Sequence, residues 1–221
     1  PEGQGLVHTA YLGAGVSGPI VSTLFYDLYG YIGGGSQYSD VGGVTIDKPI
    51  QSYMVGANLQ YFMPEVQQSV VSFGYLYSSG DTDRTEFYKN NTGEATTMFV
   101  GLTPPAFGAV FSPKLGNLMV TDLSYSVKPF SGQGRRALEE FQTELSVLGF
   151  FRPTTGVISE RGINPGSDDL YLGTEVDLAL NFRPFSDLGF SLVNGVFFPN
   201  NGSSDSAFLE DAVSSEYKAT F

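Results

Sequence analysis

Leu170-Tyr171-Leu172-Gly173-Thr174-Glu175-Val176-Asp177-Leu178-Ala179-Leu180-Asn181-Phe182-Arg183 decides the fold class. Its even positions are Leu170, Leu172, Thr174, Val176, Leu178, Leu180 and Phe182, and its odd positions carry Gly173, Glu175, Asp177, Asn181 and Arg183. Side chains of a strand point alternately to opposite faces, so one face of this segment is apolar and the other charged. A second alternating stretch, Gly189 to Pro199, follows the short break Pro184-Phe185-Ser186-Asp187-Leu188. Paired strands of about a dozen residues with this alternation have the length and pattern of a transmembrane hairpin.

Composition agrees with a β protein. The chain has 221 residues, enough for one domain over 1–221 or for the C-terminal portion of one. Aromatics are 14%, all Phe and Tyr, beside 28 Gly, and good helix formers are confined to a few patches. No run approaches the roughly 18 apolar residues of a membrane helix, but a barrel strand hides its apolar face by alternation. Zero Cys removes disulfides and thiolate metal sites. A formal net charge of -12 with 11 Lys and Arg excludes the basic footprint of a nucleic-acid binder.

Further candidate strands are separated by Gly, Pro, Asn, Asp and Ser clusters. They run over 6–13, 20–32, 51–63, 70–78, 97–111 (with Pro104-Pro105 as a bend or edge), 115–130 and 213–221. Residues 135–151 read two ways: as a strand with Phe141, Thr143, Leu145, Val147 and Phe151 on one face, or as a helix with Leu138, Phe141, Leu145 and Leu148 in a stripe. A strand from about Phe141 is preferred.

The connections carry more information. Segments 13–18, 64–68, 113–116 and 184–188 are short, whereas 33–50, 79–96, 152–169 and 200–211 are long and polar. Alternation of short and long is the pattern of an antiparallel up-and-down transmembrane β-barrel, with short periplasmic turns and long outer loops. About 9–11 strands are expected. The first strand ends at a short turn and the last descends from a long loop, so the count is odd, whereas single-chain bacterial barrels have even counts. The expectation is that at least one strand lies upstream of Pro1, or that another chain or segment completes the barrel.

Tyr171 to Leu178, then Phe182-Arg183-Pro184, then Gly195-Val196-Phe197-Phe198-Pro199, together with the terminal Phe221, resemble the closing hairpin of bacterial outer-membrane porins of the alginate-export type. The resemblance covers about thirty residues. It implies a large outer-membrane barrel that passes polysaccharides or small solutes. Alginate exporters have a strongly basic lumen, whereas the inward positions here are mixed and lean acidic, and Ala219 stands where an aromatic is common.

The inward positions supply a candidate lumen lining: Asp27, Asn58, Gln60, Asp122, Lys128, Glu144, Glu175, Asp177, Asn181 and Arg183. Opposed charges lining a pore select solutes by size and charge, although the same residues also serve simply to hydrate a polar sheet face. Tyr53, Tyr61, Tyr75, Tyr77, Tyr125, Phe182, Phe198, Tyr217 and Phe221 are the candidate membrane-interface aromatics, placed toward strand ends on the apolar face. Glu175 and Asp177 sit about 7 Å apart on one face, a spacing open to acid–base chemistry but commoner as lumenal charge. His8 is the sole histidine, and no Gly-x-Ser-x-Gly, His-Glu-x-x-His or Walker signature is present. The expectation is therefore a non-enzymatic channel of the bacterial outer membrane, without cofactor or metal, whose partners are outer-membrane lipid and small hydrophilic solutes. The alternative is a secreted or surface β-sandwich that binds glycan or another surface partner, burying the same apolar faces between two sheets.

Overall fold

The computed structural model describes residues 7–220 apart from 42–43, 88, 92, 94, 103–106, 135, 165, 186, 203–204 and 210–215; side chains at 39–41, 44–45, 85, 89–91, 136–137 and 216–220 also lie outside that description. In chain order the elements are β1 (Val7–Val21), β2 (Leu24–Val41), β3 (Val44–Met63), β4 (Ser69–Ser78), a small hairpin of β5 (Arg84–Glu86) and β6 (Lys89–Asn91), β7 (Leu118–Val127), one helical turn α1 (Arg136–Glu139), β8 (Gln142–Phe151), β9 (Tyr171–Phe185), β10 (Leu188–Pro199) and β11 (Glu216–Thr220). Nine strands form one sheet in the order β1-β2-β3-β4-β7-β8-β9-β10-β11, every pair antiparallel. The architecture is an all-β up-and-down meander. Among the described residues the sheet is open, with β1 and β11 as its edges.

Several expected boundaries move, each for a physical reason. Segment 33–50 is not a long loop: β2 and β3 continue through it and meet at the Val41↔Val44 pair. Gly33 belongs to the strand because a Cβ there would stand 2.7 Å from the Tyr11 ring of the neighbouring strand. Gly13 likewise lies under the Tyr31 ring, so 13–18 is strand and the turn falls at Ser22-Thr23. Glycine lets a cross-strand tyrosine lie flat on the sheet, and here that role outweighs its turn propensity.

The described residues of segment 97–111 form no strand. Several of their backbone donors find side-chain acceptors, as when Thr97 N donates to Asp81 Oδ2 at 3.0 Å, whereas Phe99 N donates to the Ser79 carbonyl at 3.0 Å. Residues 103–106, with the two prolines, lie outside the described residues. Segment 135–151 contains both expected forms in sequence: the helix-favouring run forms only α1, and the preferred strand begins at Gln142. Of the last expected strand, Glu216–Thr220 is observed as β11, whereas 213–215 and Phe221 lie outside the described residues.

The connections separate by end. One end of the sheet holds the turns at 22–23 and 64–68, the link from β9 to β10 and the α1 connection at 128–141. The other holds the β2–β3 tip and the long connections 79–117, 152–170 and 200–215. At the turn end Lys128 Nζ meets Glu140 Oε2 at 2.7 Å. The hydrogen bond from Lys128 holds Glu140 below the usual carboxylate range. A depressed folded-state value means that this exposed pair contributes above the ordinary carboxylate range and fades as pH falls through the lowered value.

The hydrophobic core lies on one face only, at the long-connection end. Leu118, Val120, Leu148, Phe150, Leu172 and Phe197 from the strands pack against Phe111, Ile158, Ala207 and Phe208 from the connections. Leu172 is placed by the sequence pattern on the outer face. A register shift between Phe150 and Phe151, opposite Gly173 and Tyr171, instead accompanies its burial in this core. Such a shift breaks the period of two locally.

The long connections are tied down by buried polar groups. Arg152, 1% exposed, donates from its guanidinium to the carbonyls of Asp169 (2.9 Å), Gly156 (3.1 Å) and Ser167 (2.8 Å). Asn117, fully buried at φ 51°, donates to the carbonyls of Thr154 (3.0 Å) and Val157 (3.2 Å) and accepts from Thr154 N at 3.1 Å. Asn117→Gly retains the backbone geometry but orphans these groups. The expected cost is about 1–3 kcal/mol, read as a lower denaturation midpoint with an unchanged denaturant slope; an unchanged midpoint would refute this role.

Candidate functional site

The inward face is built by the register of the sheet. One row across it runs Asp27, Asn58, Gly74, Asp122, Leu148, Glu175 and Phe197. The next row toward the turn end runs Gln60, Ser72, Ser124, Ser146, Asp177 and Gly195, with Lys218 opposite Gly195. Glu144 stands opposite Ser126 and Ala179 in the row after that. Period-two alternation thus places Asp27, Asn58, Gln60, Asp122, Glu144, Glu175 and Asp177 on one face of adjoining strands.

These residues divide into two groups. At the long-connection end the face is covered by the chain itself. Glu175 is fully buried and accepts hydrogen bonds from Val110 N at 2.7 Å and Phe111 N at 2.8 Å. Asp177 Oδ2 accepts from Ala109 N at 3.0 Å. The two carboxyl groups therefore grip three consecutive backbone amides of the connection between β6 and β7. The Phe111 ring then stacks on Phe197 with centroids 4.3 Å apart and planes at 6°.

The fit leaves no room for side chains where the backbones approach. A Cβ on Gly108 would stand 2.4 Å from the Glu175 carboxylate, and one on Gly195 would stand 2.4 Å from Asp177 Oδ1. The same connection reaches β1, where the Tyr11 hydroxyl donates to the Val100 carbonyl and the Tyr11 and Phe99 rings lie 5.1 Å apart. One connection therefore touches β1 at one margin of the sheet and β10 near the other.

Toward the turn end the inward face is open and polar. Asn58, Gln60, Ser72, Asp122, Ser124 and Glu144 line a cavity of about 380 Å³. Asn58 Nδ2 donates weakly to Asp27 Oδ2 at 3.4 Å. Asp122 Oδ1 and Asp177 Oδ1 are buried atoms with no hydrogen-bond partner among the described residues. A second polar depression at the end of the strands gathers Lys128, Asn181 and Arg183 with Glu140 and Gln142. The ten proposed lining residues therefore lie in three places: the gripped connection (Glu175, Asp177), the polar cavity with its neighbour (Asn58, Gln60, Asp122, Glu144, Asp27) and the turn-end rim (Lys128, Asn181, Arg183).

The opposite face carries the apolar side chains, and nothing in the described protein covers them. Val55 and Phe73 are 45% exposed, Leu123 54% and Leu178 41%. Leu12, Val16, Leu28, Ile32, Leu59, Leu145 and Val147 are exposed beside them on consecutive strands. Isolated exposed leucines are ordinary, but a contiguous apolar face across eight strands is not.

The aromatics of that face fall at two levels. Tyr61 and Tyr125 lie toward the turn end in one register row, joined through Val71. Tyr53 and Tyr77 lie toward the long-connection end, stacked at 5.6 Å. Eight residues along β3 separate Tyr53 from Tyr61, about 27 Å of strand. Tyr75 sits between the two levels, its hydroxyl 3.5 Å from Met119 Sδ. Phe198 is exposed toward the long-connection end, and Phe182 meets Phe141 at the turn end. The Tyr217 side chain and the whole of Phe221 lie outside the described residues.

Sequence patterning placed the two faces but missed the connection that fills one of them. Gly108 and the Ala109–Phe111 amides have no periodic signature, and the nearest signal was the pair of carboxylates two apart at Glu175 and Asp177. No protein-family model matches the chain, and no curated protein matches it.

Proposed function

We propose that this chain forms the wall of an outer-membrane channel that passes small hydrophilic solutes along its inward face. The observation that carries the proposal is the uncovered apolar face of a single sheet, flanked by two levels of tyrosine, behind a face of amides, hydroxyls and carboxylates. Lipid hydrocarbon is a covering that accepts such a face without a second protein layer. No helix among the described residues is long and apolar enough to cross a membrane, which says nothing of crossing by strands. The connection held by Glu175 and Asp177 narrows the interior at one end, leaving the polar cavity as the path at the other. Like the outer-membrane porins its hairpin resembles, the chain needs no cofactor for this role. The glycan-binding sandwich would require a second sheet over Val55, Phe73 and Leu123, and the described strands outside the β5–β6 hairpin belong to one sheet.

The chain has no Trp, which makes single-Trp probes clean. Trp placed at Leu59 or Leu178 is expected to be quenched by brominated lipid in reconstituted vesicles. Trp placed at Ser72 or Ser124 is expected to be quenched by aqueous iodide instead. Equal behaviour of the two sets would overturn the lipid-covered wall. Planar-bilayer recording of protein extracted from its own membrane then reads transport: unitary steps are expected, and an inserted sample without them would remove the channel and leave the wall.

A further inference from the structure

We propose that the edges β1 and β11 are joined by a partner β-segment contributing an odd number of strands, the first of which runs opposite to β1. This inference rests on the membrane-wall reading and specifies what completes it. β1 is a long strand that pairs with β2 along one side, and among the described residues nothing pairs with its other side. β11 is bonded only to β10. In hydrocarbon each unpaired backbone N–H and C=O costs several kcal/mol, so an open edge does not persist in a bilayer.

Direction decides the occupant. Nine antiparallel strands leave β1 and β11 running the same way, so direct closure would need a parallel pair in an otherwise antiparallel sheet. A second copy does no better. Copies inserted with their long connections on the same side present β1 and β11 in one common direction, and every junction between them is parallel. An odd number of strands restores antiparallel pairing at both edges.

The connection that caps the inward face already reaches both margins, touching Tyr11 of β1 and Phe197 of β10. The partner must carry period-two alternation. Its apolar side continues the exposed stripe Leu12, Val16 and Ile20, and its polar side faces the row of Tyr11.

The test uses the 221-residue chain in lipid vesicles, with a synthetic peptide of residues Leu24–Tyr38 as probe, because β2 runs opposite to β1. Hydrogen exchange is read on β1, with β3 and β9 as protected references. In the chain alone, alternate β1 amides are expected to exchange at least tenfold faster than those of β3. Added peptide is expected to protect them and, when synthesised with Gly30→Cys and treated with a mild oxidant, to form a disulfide with Ala14→Cys, a clean label in a chain without cysteine. Protection of β1 in the chain alone would overturn the proposal, as would Ala14→Cys homodimers or β1 amides that the peptide leaves unprotected. Failure of the membrane reading is separate, since it appears as outward Trp probes that brominated lipid does not quench.

Discussion

Arginine at both Phe73 and Leu123 is expected to prevent stable insertion. The two residues are direct cross-strand partners on β4 and β7, both exposed, and both lie between the two tyrosine levels. A charged side chain costs roughly 2–4 kcal/mol at the bilayer midplane of a barrel and about 0–1 near the interfaces. Phe73 and Leu123 lie one register row from the Tyr61 and Tyr125 level and repel when both are charged, so the pair is expected to cost about 2–5 kcal/mol, a large share of the stability of a domain. Ser124→Arg on the inward face of β7 is the control, expected to leave insertion nearly unchanged. The readout is the folded fraction in vesicles across a urea titration. On a water-exposed surface the same arginines would cost within about 0.5 kcal/mol, so an unchanged urea midpoint in F73R/L123R would reject the membrane wall.

Removing the Glu175 carboxylate has the second large effect. Glu175→Ala leaves Val110 N and Phe111 N without acceptors in a fully buried site and opens a void beneath Phe111. Leaving a buried donor unsatisfied costs about 1–3 kcal/mol, so the two amides give an expected loss of about 2–6 kcal/mol. The loss is local to the inner connection, because the strand pairs of β9 with β8 and β10 are backbone bonds that do not use this side chain. Amide exchange at Val110 and Phe111 is expected to accelerate by orders of magnitude while β9 stays protected. Glu175→Gln keeps one acceptor and is expected to fall between. Under the channel reading, release of this connection also raises conductance. Unchanged exchange at Val110 and Phe111 in E175A would dismiss the grip.

What the sequence revealed and what it hid follow from the range of each signal. The alternation of Tyr53, Val55, Leu59 and Tyr61 is local, and β3 carries those residues on one exposed face as the pattern requires. Thr174 to Phe182 behave the same way. Leu172 departs because one bulge reverses the face, and a bulge leaves no trace in hydrophobic order. Gly33 and Gly13 were misplaced because glycine serves two opposite purposes, a turn or a bed for a neighbouring ring, and only the cross-strand partner tells them apart. Segment 97–111 was misplaced because several of its described amides bond side chains outside the segment, as Val110 N does to Glu175. That choice depends on tertiary contact, so no local pattern encodes it. The strand parity expected from turn lengths agrees with the nine-stranded count, although two of the turns used to infer it lie elsewhere.

The unequal ends of the sheet carry a consequence for biogenesis. A hairpin tip of two residues at 22–23 brings little polar mass through hydrocarbon, whereas the connections at 79–117 and 152–170 are tied together through Asn117 into a bulky cap. Under the membrane-wall reading, passage across a bilayer is thereby expected to be vectorial: the tight tips lead, the cap stays behind, and reversal of orientation would drag that cap through oil.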